Sequence, residues 1–247
     1  MTNKVKTVKT RPLILRQRTM NDRLNVIIAR GIGERILGGE FPPGTSLPNE
    51  AEWGKFYKAS RTAVREALKT LMAKGLISSR PKIGARVEPR SNWNILDREV
   101  LEWHRTAVDR RGFIAKTQEA RKLLEPGFAE LAAQKRTPAQ LERLSDALHG
   151  MEKAKTVPDT IAADIEFHAA LVECANNELL VPFGIIIEKA LATLFEFTTT
   201  RNPHYNLALD MHRAIVQKIK LGDSAGARKA MIALLGDTDR VLEKRKT

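Results

Sequence analysis

Residues 46–87 leave little freedom about what this chain can become. Pro48 and Asn49 open a short helix that carries Glu50 and Glu52 in its first turn, where negative charge meets the positive end of the helix dipole. The helix ends near Lys58. Ala59-Ser60 is a turn, and Ser60 is a good N-cap for a second helix. That helix has two faces. Val64, Ala67, Leu68 and Leu71 fall at core spacing, while Arg61, Arg65 and Lys69, four apart, line the opposite side with Thr62 beside them. Gly75 closes it. Residues 76–79 and 85–87 then read as two short strands around Arg80-Pro81-Lys82-Ile83-Gly84, a compact basic tip suited to lie on phosphate or enter a minor groove. Upstream, Leu24, Ile28, Ile32 and Ile36 form one apolar stripe on a helix over 22–37. Gly38-Gly39 and the turn Phe41-Pro42-Pro43-Gly44 stop that helix. Helix, helix, turn, helix, hairpin is the layout of a winged helix-turn-helix. A charged face on an arbitrary helix is most simply a solvated one. After a tight turn, however, a helix that opens with outward Arg and Thr can enter a major groove.

Charge separates this segment from the rest. Residues 1–90 hold 19 Lys+Arg against 7 Asp+Glu, and the remaining residues hold 23 against 22. One part is built to meet a polyanion and the other is not. Residues 1–19 are basic and lack the apolar stretch of a signal peptide, so they are expected to be a flexible arm, either adding phosphate contacts or merely solvated. Low aromatic content argues against a stacking platform for single strands. The single cysteine, Cys174, excludes an internal disulfide and suits a reducing cytoplasm. It is expected to be buried and inert.

Residues 20–90 are expected to form the DNA-binding domain and 91–97 a linker. Residues 98–247 should form an all-α bundle of six or seven helices, near 98–111, 114–134, 138–152, 160–175, 177–198, 206–221 and 224–245. The fold class is therefore mainly α with a small β-wing. Trp93 and Trp103 should pack the domains together. Asn177 reads as a helix cap, and His104 and His149 read as surface residues. Asp164 and His168 share one helix face, which allows either a chelated divalent metal or a simple surface hydrogen bond.

Several segments resemble the GntR superfamily of transcription regulators. They are Leu47-Pro48-Asn49-Glu50, Ser60-Arg61-Thr62, Val64-Arg65-Glu66-Ala67-Leu68, Gly75-Leu76-Ile77 and Arg80-Pro81 to Gly84. Arg121 to Leu124-Glu125-Pro126, Asp164 to Phe167-His168, Asn177, and His212 to Gly222-Asp223 resemble the FCD effector domain of its FadR branch. Asn92 to Asp97 and Val100-Leu101-Glu102-Trp103 resemble the linker of galactonate-operon repressors. The resemblance implies a cytoplasmic homodimer that reads a palindromic operator and binds a small carboxylate in its helical domains. It implies DNA contacts from Ser60, Arg61, Thr62, Arg65, Lys69, Lys82 and Gly84. Ala51 stands where relatives often carry a DNA-contacting Arg, which points to a different operator.

The resemblance also implies a divalent metal such as zinc on Asp164, His168 and His212. Its fourth family position falls on Leu234, which cannot ligate. Water, the effector's own carboxylate or His204 could complete the shell, or the cluster could work without metal as a polar floor. Arg121 is implied as an effector-binding residue because a guanidinium fork suits a carboxylate, although a salt bridge to Glu125 is the competing assignment. The expected function is a ligand-responsive regulator, a repressor of a sugar-acid or related carboxylate operon, and not an enzyme. Two alternatives stand beside it: a metal-dependent enzyme on Asp164, His168 and His212, and an architectural DNA binder without effector.

Overall fold

The computed structural model describes residues 20–80, 84–107, 110–197 and 205–244. The basic arm, Lys82 and His204 lie outside them.

Three helices and a hairpin come first: α1 (Met20–Leu37), α2 (Glu50–Tyr57), α3 (Arg61–Ala73), β1 (Ile77–Arg80) and β2 (Gly84–Val87). Local chemistry sets their ends. Asn49 caps α2 through a capping box with Glu52, satisfying donors that helical bonding leaves open. Lys58 turns the chain out of α2 in a left-handed conformation, φ 50°. Ser60 Oγ then accepts from Ala63 N at the start of α3. The strands pair antiparallel, Ile77 opposite Val87 and Arg80 opposite Gly84, and Ser46 adds an isolated bridge to Arg86. Ile28, Ile32 and Ile36 bury the α1 stripe against Trp53, Val64, Leu71, Leu76 and Val87. Gly75 ends α3 at φ +71°, where an added Cβ would meet Asn92 O at 2.1 Å.

Seven α-helices come after the linker among the described residues: α4 (Arg98–Ala107), α5 (Arg110–Lys135), α6 (Pro138–Lys153), α7 (Val157–Cys174), α8 (Gly184–Phe197), α9 (Tyr205–Lys220) and α10 (Ser224–Lys244). Phe128, Leu144, Met151, Phe167, Leu171, Ile215, Ile219, Met231 and Leu235 build their shared core. Three boundaries differ from the sequence expectation. The chain runs helically through Gly112, because α5 begins at Arg110. Pro158 does not break a helix; it sits in the first turn of α7, where its missing N–H has no partner to lose. Finally, α8 starts only at Gly184, after Asn176 at φ 48° and a 3-10 turn over Val181–Phe183.

Helix α4 serves both halves. Val100 and Trp103 are buried in the core of the winged helix. Gly33 on α1 makes this possible, since a Cβ there would lie 2.4 Å from Trp103 Cε3. Lys74, at the end of α3, is buried and places Nζ 2.7 Å from Asp97 Oδ1 and 2.8 Å from Glu99 Oε2. On its other side α4 meets the bundle: Leu101 packs with Phe113 and Ile185, Arg98 pairs with Glu188, and Glu102 pairs with Lys189. Trp93 and Trp103 thus both pack into the core built by α1–α3 and the hairpin. His104 is not a surface residue as expected. It is half-buried beside Phe113, and its Nδ1 has no hydrogen-bond partner. His149 is exposed and Cys174 is buried, with burial pushing the Cys174 thiol up to about 11. No helix among the described residues is long and apolar enough to cross a membrane.

Candidate functional site

Two sites emerge, one exposed and one buried. On α3, Ala63, Val64, Ala67, Leu68 and Leu71 face inward, and Arg61, Thr62, Arg65 and Lys69 are exposed on the other side. The amphipathic split of the sequence is therefore a spatial one, with three cations and a hydroxyl presented together. Ser60 is exposed at the N-terminus of the same helix, with its oxygen engaged as the cap. The cations are not all unengaged. Lys69 pairs with Glu66 at 2.9 Å, and Arg65 makes a two-point pair with Glu50. Gly84 lies at the tip end of the wing, opposite Arg80, at φ +85°, with open space around the position of an added Cβ, so its role is conformational. Ala51 is exposed on α2, where its methyl adds no charge to this face.

The buried site joins α5, α7 and α9. Asp164, His168 and His212 are all buried, and one ligand atom from each lies within 4.8 Å of the others. The four-residue spacing of Asp164 and His168 puts both on the inner face of α7, and His212 comes in from α9. His212 Nδ1 donates to Ala208 O at 2.6 Å, one turn back on its own helix. That bond orients the ring so that Nε2 faces Asp164 Oδ1, 3.3 Å away. Phe167 packs edge-on against both imidazoles.

A second buried layer supports His168. Its Nδ1 lies 2.7 Å from Glu125 Oε2, and Glu125 Oε1 accepts from Arg121 Nε at 2.5 Å. Arg121 Nη1 also reaches Gln118 Oε1 at 3.4 Å. The pair distances and the hydrogen-bond geometry disagree here. His168 Nδ1, Glu125 Oε2 and His212 Nε2 all sit at ion-pair range, yet each lacks a well-aligned hydrogen bond. The distances govern the charge pairing, because Coulomb attraction depends far less on angle than a hydrogen bond does. Burial pushes the Glu125 carboxyl up, but the charges of Arg121 and His168 outweigh it and hold the group down at about 2. Burial likewise acts against the Asp164 carboxylate, and His212, His168 and Arg121 outweigh it, so Asp164 also lies below its usual range.

These residues fit a divalent cation. A protonated His212 ring pairs with Asp164 directly, whereas a neutral ring would set its Nε2 lone pair against the carboxylate oxygen, and a cation between those two electron-rich atoms would satisfy both. Two imidazoles and one carboxylate are a donor set that first-row divalent metals accept. Leu234 is buried in the hydrophobic core, so α10 contributes packing there and no ligand. Arg121 lies at the edge of this cluster, buried and engaged by Glu125.

Sequence reasoning missed the double role of Glu125. The signal was present, since Glu125 stands four residues after Arg121 on one helix, but nothing local tied it to His168. It also missed Glu50 as the partner of Arg65, and Lys74 as the buried cation that holds the start of α4.

Known proteins extend this picture. The sequence profile of bacterial regulatory proteins of the gntR family matches residues 26–87, and that of the FCD domain matches residues 117–237. The HTH-type transcriptional regulator YieP of Escherichia coli (strain K12) is 38% identical over 232 residues, covering 93% of this chain and 100% of YieP. The galactonate operon transcriptional repressor of the same organism is 31% identical over 229 residues, with 92% and 99% covered. Among solved structures, Lar, which controls expression of the Listeria monocytogenes agr system, aligns at TM-score 0.60 with 18% identity, covering 90% of this chain and 96% of Lar. The GntR of Streptococcus agalactiae aligns at TM-score 0.51 with 24% identity, covering 88% and 99%. At those identities the two structures speak for the fold alone.

Proposed function

Because the chain belongs to the GntR family of bacterial transcription regulators, with an FCD domain behind its winged helix, we propose that it represses a carboxylate or sugar-acid catabolic operon and leaves its operator when the acid binds. It is a DNA-binding regulator and not an enzyme. The observation that carries the finer reading is the pairing of an exposed cationic α3 with a buried Asp164-His168-His212-Arg121 centre, the two connected through α4.

The working parts are residues 20–90 as reader, 91–97 as linker and 98–247 as effector and dimerisation domain, with α4 the piece of the last that packs on the first. Two copies present two recognition helices to a palindromic site. Arg61, Thr62 and Arg65 supply base and phosphate contacts from the start of α3, while Ser60, Lys69, Lys82 and Gly84 flank them. In the bundle, Asp164, His168 and His212 would hold a divalent ion such as zinc, which supplies a Lewis-acidic charge able to accept an acid's carboxylate. Arg121, with its outer guanidinium nitrogens beyond the Glu125 bond, orients the rest of the acid. Leu234 leaves three protein ligands, so coordination positions stay open to the acid or to water. Coupling needs only that the acid bind the arrangement unsuited to the operator more tightly than the arrangement suited to it. The likeness to the galactonate operon repressor supports a sugar acid as the ligand class.

A thermal-shift screen of sugar acids and other carboxylates tests this, run with and without a chelator. A ligand that binds only the folded chain must raise its melting temperature. The expected result is a rise with a sugar acid that shrinks after chelation, together with release from DNA by that same acid. If no acid shifts the melting temperature in either condition, the ligand class is wrong. If the shift survives chelation intact, the centre binds acid as a polar floor without metal.

A further inference from the structure

The arginine at the middle of the exposed α3 face is held in one orientation. Arg65 Nε lies 3.0 Å from Glu50 Oε1, and Nη2 lies 2.9 Å from Glu50 Oε2. This is a side-on, two-point pair between α3 and the first turn of α2. A guanidinium bound that way has used its Nε–H and one Nη2–H. Its end-on fork, formed by Nη1 and the second Nη2–H, points away from the carboxylate. That fork has the donor spacing that matches guanine O6 and N7.

The surroundings favour this pairing over others. Glu66, next to Arg65 in sequence, is engaged by Lys69. Ala51 offers no competing cation beside Glu50, and Arg61 adds a Coulombic pull on the Glu50 carboxylate. The bond to Arg65 holds the Glu50 carboxyl below its usual range, so the partner stays charged. Side-chain exposures of 60% for Arg65 and 35% for Glu50 place the pair in water, where an isolated ion pair adds little to stability. Its significance is therefore geometric. It also carries a cost, because a carboxylate on a DNA-facing surface repels phosphate.

We infer that Glu50 is a specificity-determining positioning residue: by clamping Arg65 side-on, it presents the end-on fork to a guanine edge and keeps it off the phosphates. This rests on α3 being the DNA-reading helix. A clamp and a mere surface charge differ in sign. Removing a plain negative charge tightens binding to every DNA sequence alike. Removing a clamp weakens binding to the preferred sequence and leaves binding to other sequences unchanged or tighter.

The test uses the full chain and a pool of random-sequence duplexes. The sequence most enriched by the unaltered protein serves as the preferred probe, and its scramble serves as the control. Affinities for both are read by fluorescence anisotropy at one fixed salt concentration. For E50Q and E50A, the preferred probe is expected to weaken on the order of tenfold, the scale of one lost bidentate base contact, while the scramble stays level or tightens. E50D keeps the charge but is one methylene short of the two-point bond, so it should lose preference in the same way. A selection repeated with E50Q should show relaxed choice at one base pair of the site. E50A/R65A should bind no more weakly than R65A. The inference is overturned if Glu50 variants tighten both probes by one factor, if the base preference of E50Q is unchanged, or if the two losses add. If R65A weakens the preferred probe and the Glu50 variants match the unaltered protein, only the clamp falls. If R65A has no effect, or the pool yields no enriched sequence, the assignment of α3 falls with it. Circular dichroism melts of each variant, expected to match the unaltered protein at these surface positions, separate these outcomes from unfolding.

Discussion

The same two residue types meet twice in this molecule, with opposite consequences. Arg65 and Glu50 pair at the surface of the winged helix, with side-chain exposures of 60% and 35%. Arg121 and Glu125 pair inside the bundle, at 3% and 0%. In water the Coulomb gain is screened and side-chain ordering offsets much of it, so the outer pair adds little to the stability of the fold. In the interior neither charge can find water, so each depends on the other. The outer pair suits a surface where the orientation of a side chain matters more than the stability it adds. The inner pair suits a fixed wall behind His168.

Breaking the inner pair is expected to have the largest effect. Arg121→Ala leaves the buried Glu125 carboxylate without its guanidinium, with only His168 beside it, and should lower unfolding free energy by about 3–5 kcal/mol in a urea titration. A loss below about 1 kcal/mol would mean that water reaches Glu125, and the contrast between the two pairs would collapse.

Acid should reach the same pair. The folded Glu125 carboxyl sits at about 2, against 4.5 for an ordinary glutamate. A depressed value means that the unfolded chain takes up the proton first. The stabilisation is therefore fully present above about pH 4.5 and is lost as pH falls toward about 2. Urea titrations stepped across this window should show stability falling, and Glu125→Gln should flatten that slope. An unchanged slope would assign the acid sensitivity to other carboxylates, Asp164 first among them.

The next effect sharpens what the inner region does. Zinc or manganese at about a hundred times its Kd should stabilise the fold by roughly 2.7 kcal/mol, and His212→Ala should remove most of that gain. A gain that persists in His212→Ala would move the cation elsewhere.

The smallest stability change belongs to the outer pair. Arg65→Ala should alter unfolding free energy by no more than about 0.5 kcal/mol while weakening binding to a selected duplex by roughly five- to a hundredfold. A large drop in stability would show that the outer pair holds α2 against α3, contrary to its exposure.

Much of the reader was legible from residues close together in the chain. The four-residue recurrence of Ile28, Ile32 and Ile36, the caps at Asn49 and Ser60, and the glycine after α3 specify elements whose signals lie within a turn or two. The pairing of Asp164 with His168 was legible for the same reason, since a four-residue spacing on a helix is already a distance. The role of α4 was not. Its spacing shows an amphipathic helix, but only the notch at Gly33 decides that Trp103 packs on the reader while Leu101 faces the bundle. His104 was misread because its neighbours in space, Phe113 on the next helix among them, are not legible from its own helix.

The sequence by itself determined most of the helices, the Ser60 cap, the wing strands and the split of α3 into an apolar and a cationic face, while Asn177 closes a turn and not a helix, since α8 starts at Gly184. Those arise from periodicity and from hydrogen bonds between near neighbours. Only the tertiary structure decided that Glu50 grips Arg65, that Glu125 stands between Arg121 and His168, and that His212 joins Asp164 from another helix. Each of those contacts closes a loop of chain, and packing of the whole core, not local preference, sets which side chains meet when it closes.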